Sequence, residues 1–210
     1  MEPQIYTDTA SVEQIVDWAT DEFNKLNHPK EVKLIIADEA IIKERNRLFL
    51  YRFKKRMFYK MNSLPKIFRR WRWLTNLLYK TAEIQCLQFK ETVVAESLNL
   101  ETDFEDAIIV YPTRFDMVIN LVQNRIKSYE TIVREVIRHE IRHSCQTEEM
   151  RLVGLNPSVA FSFDAMLYKY GEGPLEKDAI ASQIGENKTP IKEVISSLKD
   201  QMKKKGWKLS

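Results

Sequence analysis

The chain has 210 residues, of which 44% are hydrophobic and 30% charged, with a net charge of +3. That length and apolar content suit one soluble globular domain with room for a small appended subdomain, and no run approaches the roughly 20 apolar residues of a membrane span. The N-terminal Met1-Glu2-Pro3-Gln4 carries no apolar secretory region, and two cysteines, Cys86 and Cys145, are too few for a disulfide framework; together these predict a reducing, cytoplasmic setting.

In chain order, 11–27 reads as an amphipathic helix opened by a capping box, Ser11 with Gln14 three residues on. Residues 31–36 read as a strand. A helix over about 39–61 and another over 63–80 follow, and the pair predicts a helical hairpin subdomain at 39–80. In its second helix Leu64, Ile67, Phe68, Trp71, Leu74, Leu77 and Leu78 fall on one stripe, and Lys66, Arg69, Arg70, Arg72 and Asn76 fill the opposite side.

The charge of this region stands apart. Between Lys43 and Lys80 there are thirteen Lys or Arg and one acid, Glu44, so the block carries +12 and the rest of the chain −9. Nine aromatics are interleaved with those charges. Such a block suits nucleic acid or an anionic membrane surface, but it equally suits a helix packed on its own core with arginines in water. The packed helix is the expectation. Replacing Arg69, Arg70 and Arg72 with Gln is therefore expected to leave binding to single-stranded nucleic acid and to anionic vesicles unchanged at about 150 mM salt, where exposed charges are screened beyond ~8 Å. A steep, salt-dependent loss of binding in the triple variant would assign the face to a ligand.

Further strands are predicted at 83–89, 92–96 and 106–111, the last ended by Pro112. Helices follow at 114–127, 129–146, 157–170, from Pro174 onward, and at 189–205, where Lys203, Lys204 and Lys205 suit a helix C-terminus. Strands followed by helices predict an α+β fold with a small antiparallel or mixed sheet.

The helix at 129–146 carries the one string that names a chemistry, His139-Glu140-Ile141-Arg142-His143. No Gly or Pro interrupts it, and Ile132, Val133, Val136, Ile137 and Ile141 recur at three- and four-residue steps. Ser128 is the candidate N-cap, with Thr131 behind it. Arg134, Arg138 and Arg142 make a basic row that either pairs with acids or is solvated. On a helix, residues i and i+4 share a face, so His139 and His143 can bind one Zn²⁺. Glu140 then projects beside the metal, where it can take a proton from water.

A catalytic zinc ordinarily takes three protein ligands. His28 is the only other histidine, upstream in a His28-Pro29 loop. Glu149 is six residues past His143, but a continuing helix carries it about 15 Å beyond His139. Glu176, near the start of the helix after Gly171-Glu172-Gly173, is the better carboxylate, with Asp178 placed to orient a ligand from behind. Glu172 and Asp164 remain open as alternatives.

The string HEIRH followed by LEKDAIA resembles the zinc-dependent metallopeptidases called gluzincins, in particular their small cytosolic members. The resemblance covers about residues 107–185. It implies a zincin-like fold, Zn²⁺ held by His139, His143 and Glu176, Glu140 as general base, a peptide or protein substrate, and Ile108–Tyr111 as the edge strand that aligns it. The chain departs from SprT-type proteases, which close the site with a third histidine. For the group that stabilises the oxyanion, Tyr168, Tyr170 and Arg142 are suitable in type only. The sequence is thus read as a zinc metallopeptidase. The rivals are a nucleic-acid- or membrane-binding protein with a structural or vestigial zinc site, and an interaction protein without metal.

Overall fold

A computed structural model describes residues 9–47, 80, 93–98, 106–116, 127–169, 171–186 and 189–208. The predicted strand at 83–89 and the basic block, apart from its first residues and Lys80, lie outside the described residues, and so do most of the helix predicted at 114–127 and Cys86.

Helix α1 (Val12–Lys25) begins at Ser11, whose hydroxyl accepts from the Gln14 amide while the Gln14 side chain accepts from the Ser11 amide. Strand β1 (Lys33–Ile36) follows, and 39–47 is helical. Strands β2 (Ala95–Leu98) and β3 (Ala107–Val110) complete the described sheet, in the order β1-β3-β2. β1 runs parallel to β3 with Leu34 opposite Ile108, and β2 antiparallel with Ser97 opposite Ile108. The sheet is mixed, and the fold is α+β.

β3 is therefore central, which corrects the expectation that Ile108–Tyr111 forms the edge. Ile108 and Val110 enter one core while Ile109 and Tyr111 enter another with Ala37, so both faces of the strand are buried. The edges among the described residues are β1 and β2, and β2 is the one beside the motif helix.

Tyr111 is followed by a 3₁₀ turn at Pro112–Arg114. The motif helix, α2 (Tyr129–Leu152), starts at Ser128, whose hydroxyl accepts from the Thr131 amide. It runs past the predicted end at 146 because nothing stops it before Gly154. There φ is +68°, Gly154 N–H bonds to Arg151 O, and Leu155 N–H bonds to Met150 O. This is the Schellman closure that favours glycine. Helices α3 (Pro157–Leu167), α4 (Pro174–Gln183) and α5 (Ile191–Lys204) follow.

α2 joins two apolar cores. Its first half buries Val133, Ile137 and Ile141 against Ile15, Ala19 and Phe23 of α1 and against the sheet. Its end buries Met150 with Phe163, Leu175, Ile195, Leu198 and Met202 from α3, α4 and α5. Each such side chain contributes about 1.5–3 kcal/mol when fully buried. The basic row is paired: Arg134 reaches Asp21, Glu22 and Glu130, and Arg138 reaches the buried Glu22. The His-Glu-x-x-His turn lies where the helix passes from one core to the other.

Candidate metal centre

The helical step brings His139 and His143 onto one face, with their Nε2 atoms 3.0 Å apart. Helix α4 brings Glu176 to the same point. Its Oε2 lies 3.6 Å from His139 Nε2 and its Oε1 3.5 Å from His143 Nε2. Three donors on a tetrahedral zinc, with bonds of about 2.0–2.1 Å, stand roughly 3.3–3.4 Å apart. The observed separations bracket that value. Glu176 Oε2 is also buried without a hydrogen-bond partner, as expected of an oxygen meant for a cation. Among the described residues these three form the only such group of potential ligands. Two imidazoles and one carboxylate fit Zn²⁺.

Glu176 is placed by a cap from another helix. The carboxylate of Asp164, in α3, accepts from the amides of Leu175 and Glu176 in the first turn of α4. Gly173, the N-cap of α4, makes room for it, because a Cβ there would fall 2.1 Å from Asp164 Oδ2. Gly173→Ala is thus expected to displace the cap and destabilise the fold by about 1–3 kcal/mol, the usual cost of overpacking, with weaker zinc binding; a thermal melt and a chelator competition check this. Gly171-Glu172-Gly173 is in this respect a tight joint.

Behind the ligands, α2 and α4 are tied by a polar network. Arg142 donates to both oxygens of Asp178, at 2.7 and 2.8 Å, and to Thr189 O. Gln146 Nε2 donates to Asp178 Oδ2 at 2.6 Å and to Leu175 O at 3.0 Å, while its Oε1 meets His143 Nδ1 at 2.8 Å. Asp178 supports the site through Gln146, which in turn meets His143.

Glu140 projects from α2 toward the sheet edge, where its Oε2 accepts from the Ser97 amide at 2.6 Å. The Ser97 and Ser144 hydroxyls hydrogen-bond beside it. Glu140 and Ser97, with Glu96, Phe161 and the three candidate ligands, line a cleft of about 240 Å³ between β2 and helices α2, α3 and α4. Glu96 is held at the cleft by Arg45 and by the hydroxyl of Tyr111.

Burial pushes the Glu140 carboxyl up to about 7, with His143 and the Ser97 amide opposing it and Glu96 and Glu176 adding to it. Burial, then the neighbouring His143, pulls His139 down to about 4 against the charge of Glu176. For His143 burial works the same way, but its hydrogen bond to Glu176 and the charges of Glu140 and Glu176 outweigh it, so its pKa rises. A carboxyl poised near neutrality suits a proton acceptor.

The other candidates lie elsewhere. His28 stacks on Phe23, ring centroids 4.0 Å apart, and its Nδ1 meets Pro29 O. It lines a separate cavity of about 470 Å³ with Cys145, where burial pushes the thiol pKa up, so Cys145 is a packed, unactivated side chain. Asp164 is a cap, Glu172 is exposed, and Glu149 is outside the ligand group. Neither oxyanion candidate within the described residues is free for that role: Tyr168 donates to Gln201, and Arg142 is spent on Asp178 and Thr189. Tyr170 lies outside the described residues. Glu176→Ala is expected to weaken zinc binding by more than the about 10–100-fold typical of losing an outer hydrogen-bond partner, whereas Glu149→Ala leaves it unchanged; chelator competition on both variants decides this.

No protein-family model, curated protein or solved structure matches this chain.

Proposed function

We propose that this protein is a zinc-dependent peptidase with a zincin-like fold. The observation that carries the reading is the convergence of His139, His143 and Glu176 within 4.8 Å, at the end of a cleft that also holds Glu140. A zinc ion held by these three residues supplies a Lewis acid that polarises a carbonyl and acidifies water.

The rest is done by the chain. Glu140 accepts the proton of the attacking water and delivers it to the departing amine. The Ser97 amide fixes one of its oxygens and leaves the other for that transfer. β2 lies along the cleft at an edge of the sheet formed by the described residues, so a substrate in extended conformation adds to it as a further strand. Phe161, edge-on to His143 at 5.5 Å, gives the cleft an apolar wall. A structural site needs no carboxylate beside the metal, and Glu140 therefore favours the peptidase over a vestigial centre.

Protein purified without added metal is expected to contain about one equivalent of zinc and to cleave unfolded polypeptides, with cleavage lost to a chelator and restored by zinc. Metal-free protein that binds no added zinc would overturn the reading.

A further inference from the structure

We infer that Gln146 is a positioning residue that holds neutral His143 as its Nδ1–H tautomer, so that Nε2, which faces Glu176 and His139, is the nitrogen left unprotonated; the consequence for metal binding rests on the reading above.

The argument begins with the amide's orientation. Gln146 Nε2 lies 2.6 Å from Asp178 Oδ2 and 3.0 Å from Leu175 O. A backbone carbonyl has no proton to give. An amide turned the other way would set its oxygen against both acceptors. The NH₂ group therefore faces Asp178 and Leu175, and Oε1 faces His143 Nδ1 at 2.8 Å. An amide oxygen only accepts, so His143 Nδ1 must carry hydrogen.

Asp178 is held in turn by the two-pronged Arg142, and it shares α4 with Glu176. Gln146 shares α2 with both histidines. The same contacts that dock α4 on α2 thus select which imidazole nitrogen is offered to the metal. A ligating histidine whose other nitrogen donates outward is fixed in ring angle as well as in tautomer.

The test reads the tautomer directly. In metal-free protein with ¹⁵N-labelled histidine, titrated until the His143 ring is neutral, His143 is expected to give the signature of a single Nδ1–H form. Gln146→Leu is expected to mix the tautomers and to lower zinc affinity by about 10–100-fold in chelator competition. An Nε2–H signature in the parent protein overturns the assignment and requires no variant to fold. A folded Gln146→Leu protein with unchanged tautomer and affinity overturns it as well, since that is what a purely packing role predicts. A parent protein that shows the Nδ1–H form yet binds no zinc sinks the peptidase reading and leaves the positioning role intact.

Discussion

Glu140→Gln is expected to keep its full equivalent of zinc and its thermal stability while losing about 10²–10⁴-fold in peptide cleavage, the usual worth of a general base. The substitution changes little volume. Its amide oxygen can still accept from the Ser97 amide, which now holds the carboxylate at 2.6 Å, so α2 and β2 need not move. What disappears is the ability to take a proton. The effect should fall on kcat, with KM little changed, because proton transfer belongs to the transition state and not to substrate binding. Metal analysis and steady-state kinetics on the same preparation make the check. A variant that cleaves as fast as the parent would remove Glu140 from the mechanism.

Replacing His139 and His143 together by Ala is expected to abolish zinc binding and all cleavage. The parent protein should also become more stable when zinc is added, and the double variant should not. A ligand that binds only the folded state at about 1,000 times its Kd contributes about 4 kcal/mol. For a chain of this size that corresponds to roughly 8–16 °C in Tm. Melting curves with zinc and with chelator read this difference. Metal that persists in the double variant would place the site somewhere other than α2.

Both outcomes depend on features that were legible to different degrees in the sequence. The helices could be read because their periodicity and N-caps are local, with Ser11 and Gln14, and Ser128, each acting within one turn, whereas the Gly154 stop lies beyond the expected end at 146. The His139–His143 pairing was legible for the same reason, since four-residue spacing fixes a helical face. The edge strand was misread although a signal existed. Residues 107–111 are uninterrupted apolar, the mark of a strand buried on both faces, while Glu96 and Ser97 give β2 the polar character of an edge.

Other parts of the site depend on docking and left no local trace. Asp164 caps a helix to which it does not belong, and the need for Gly173 follows only from that approach. Gln146 falls three residues after His143 and so on its face of the helix, but its orientation is set by Asp178 and Leu175 across the interface with α4. Ser97 meets Glu140 across 43 positions of chain. Sequence spacing alone could not have paired them.

The passage of α2 from one core to the other divides the labour of the site. The three candidate ligands sit on α2 and α4, clamped together by Arg142, Asp178 and Gln146. The strand that steadies Glu140 and flanks the cleft belongs to the sheet on the other side. On the proposed function, loading and turnover would therefore have separate addresses in the molecule. On that reading, damage at the α2–α4 joint would empty the centre, whereas damage where β2 meets α2 would leave the centre filled with Glu140 unmoored. Two preparations with identical metal content need not be equally competent, and the difference would be written in the sheet.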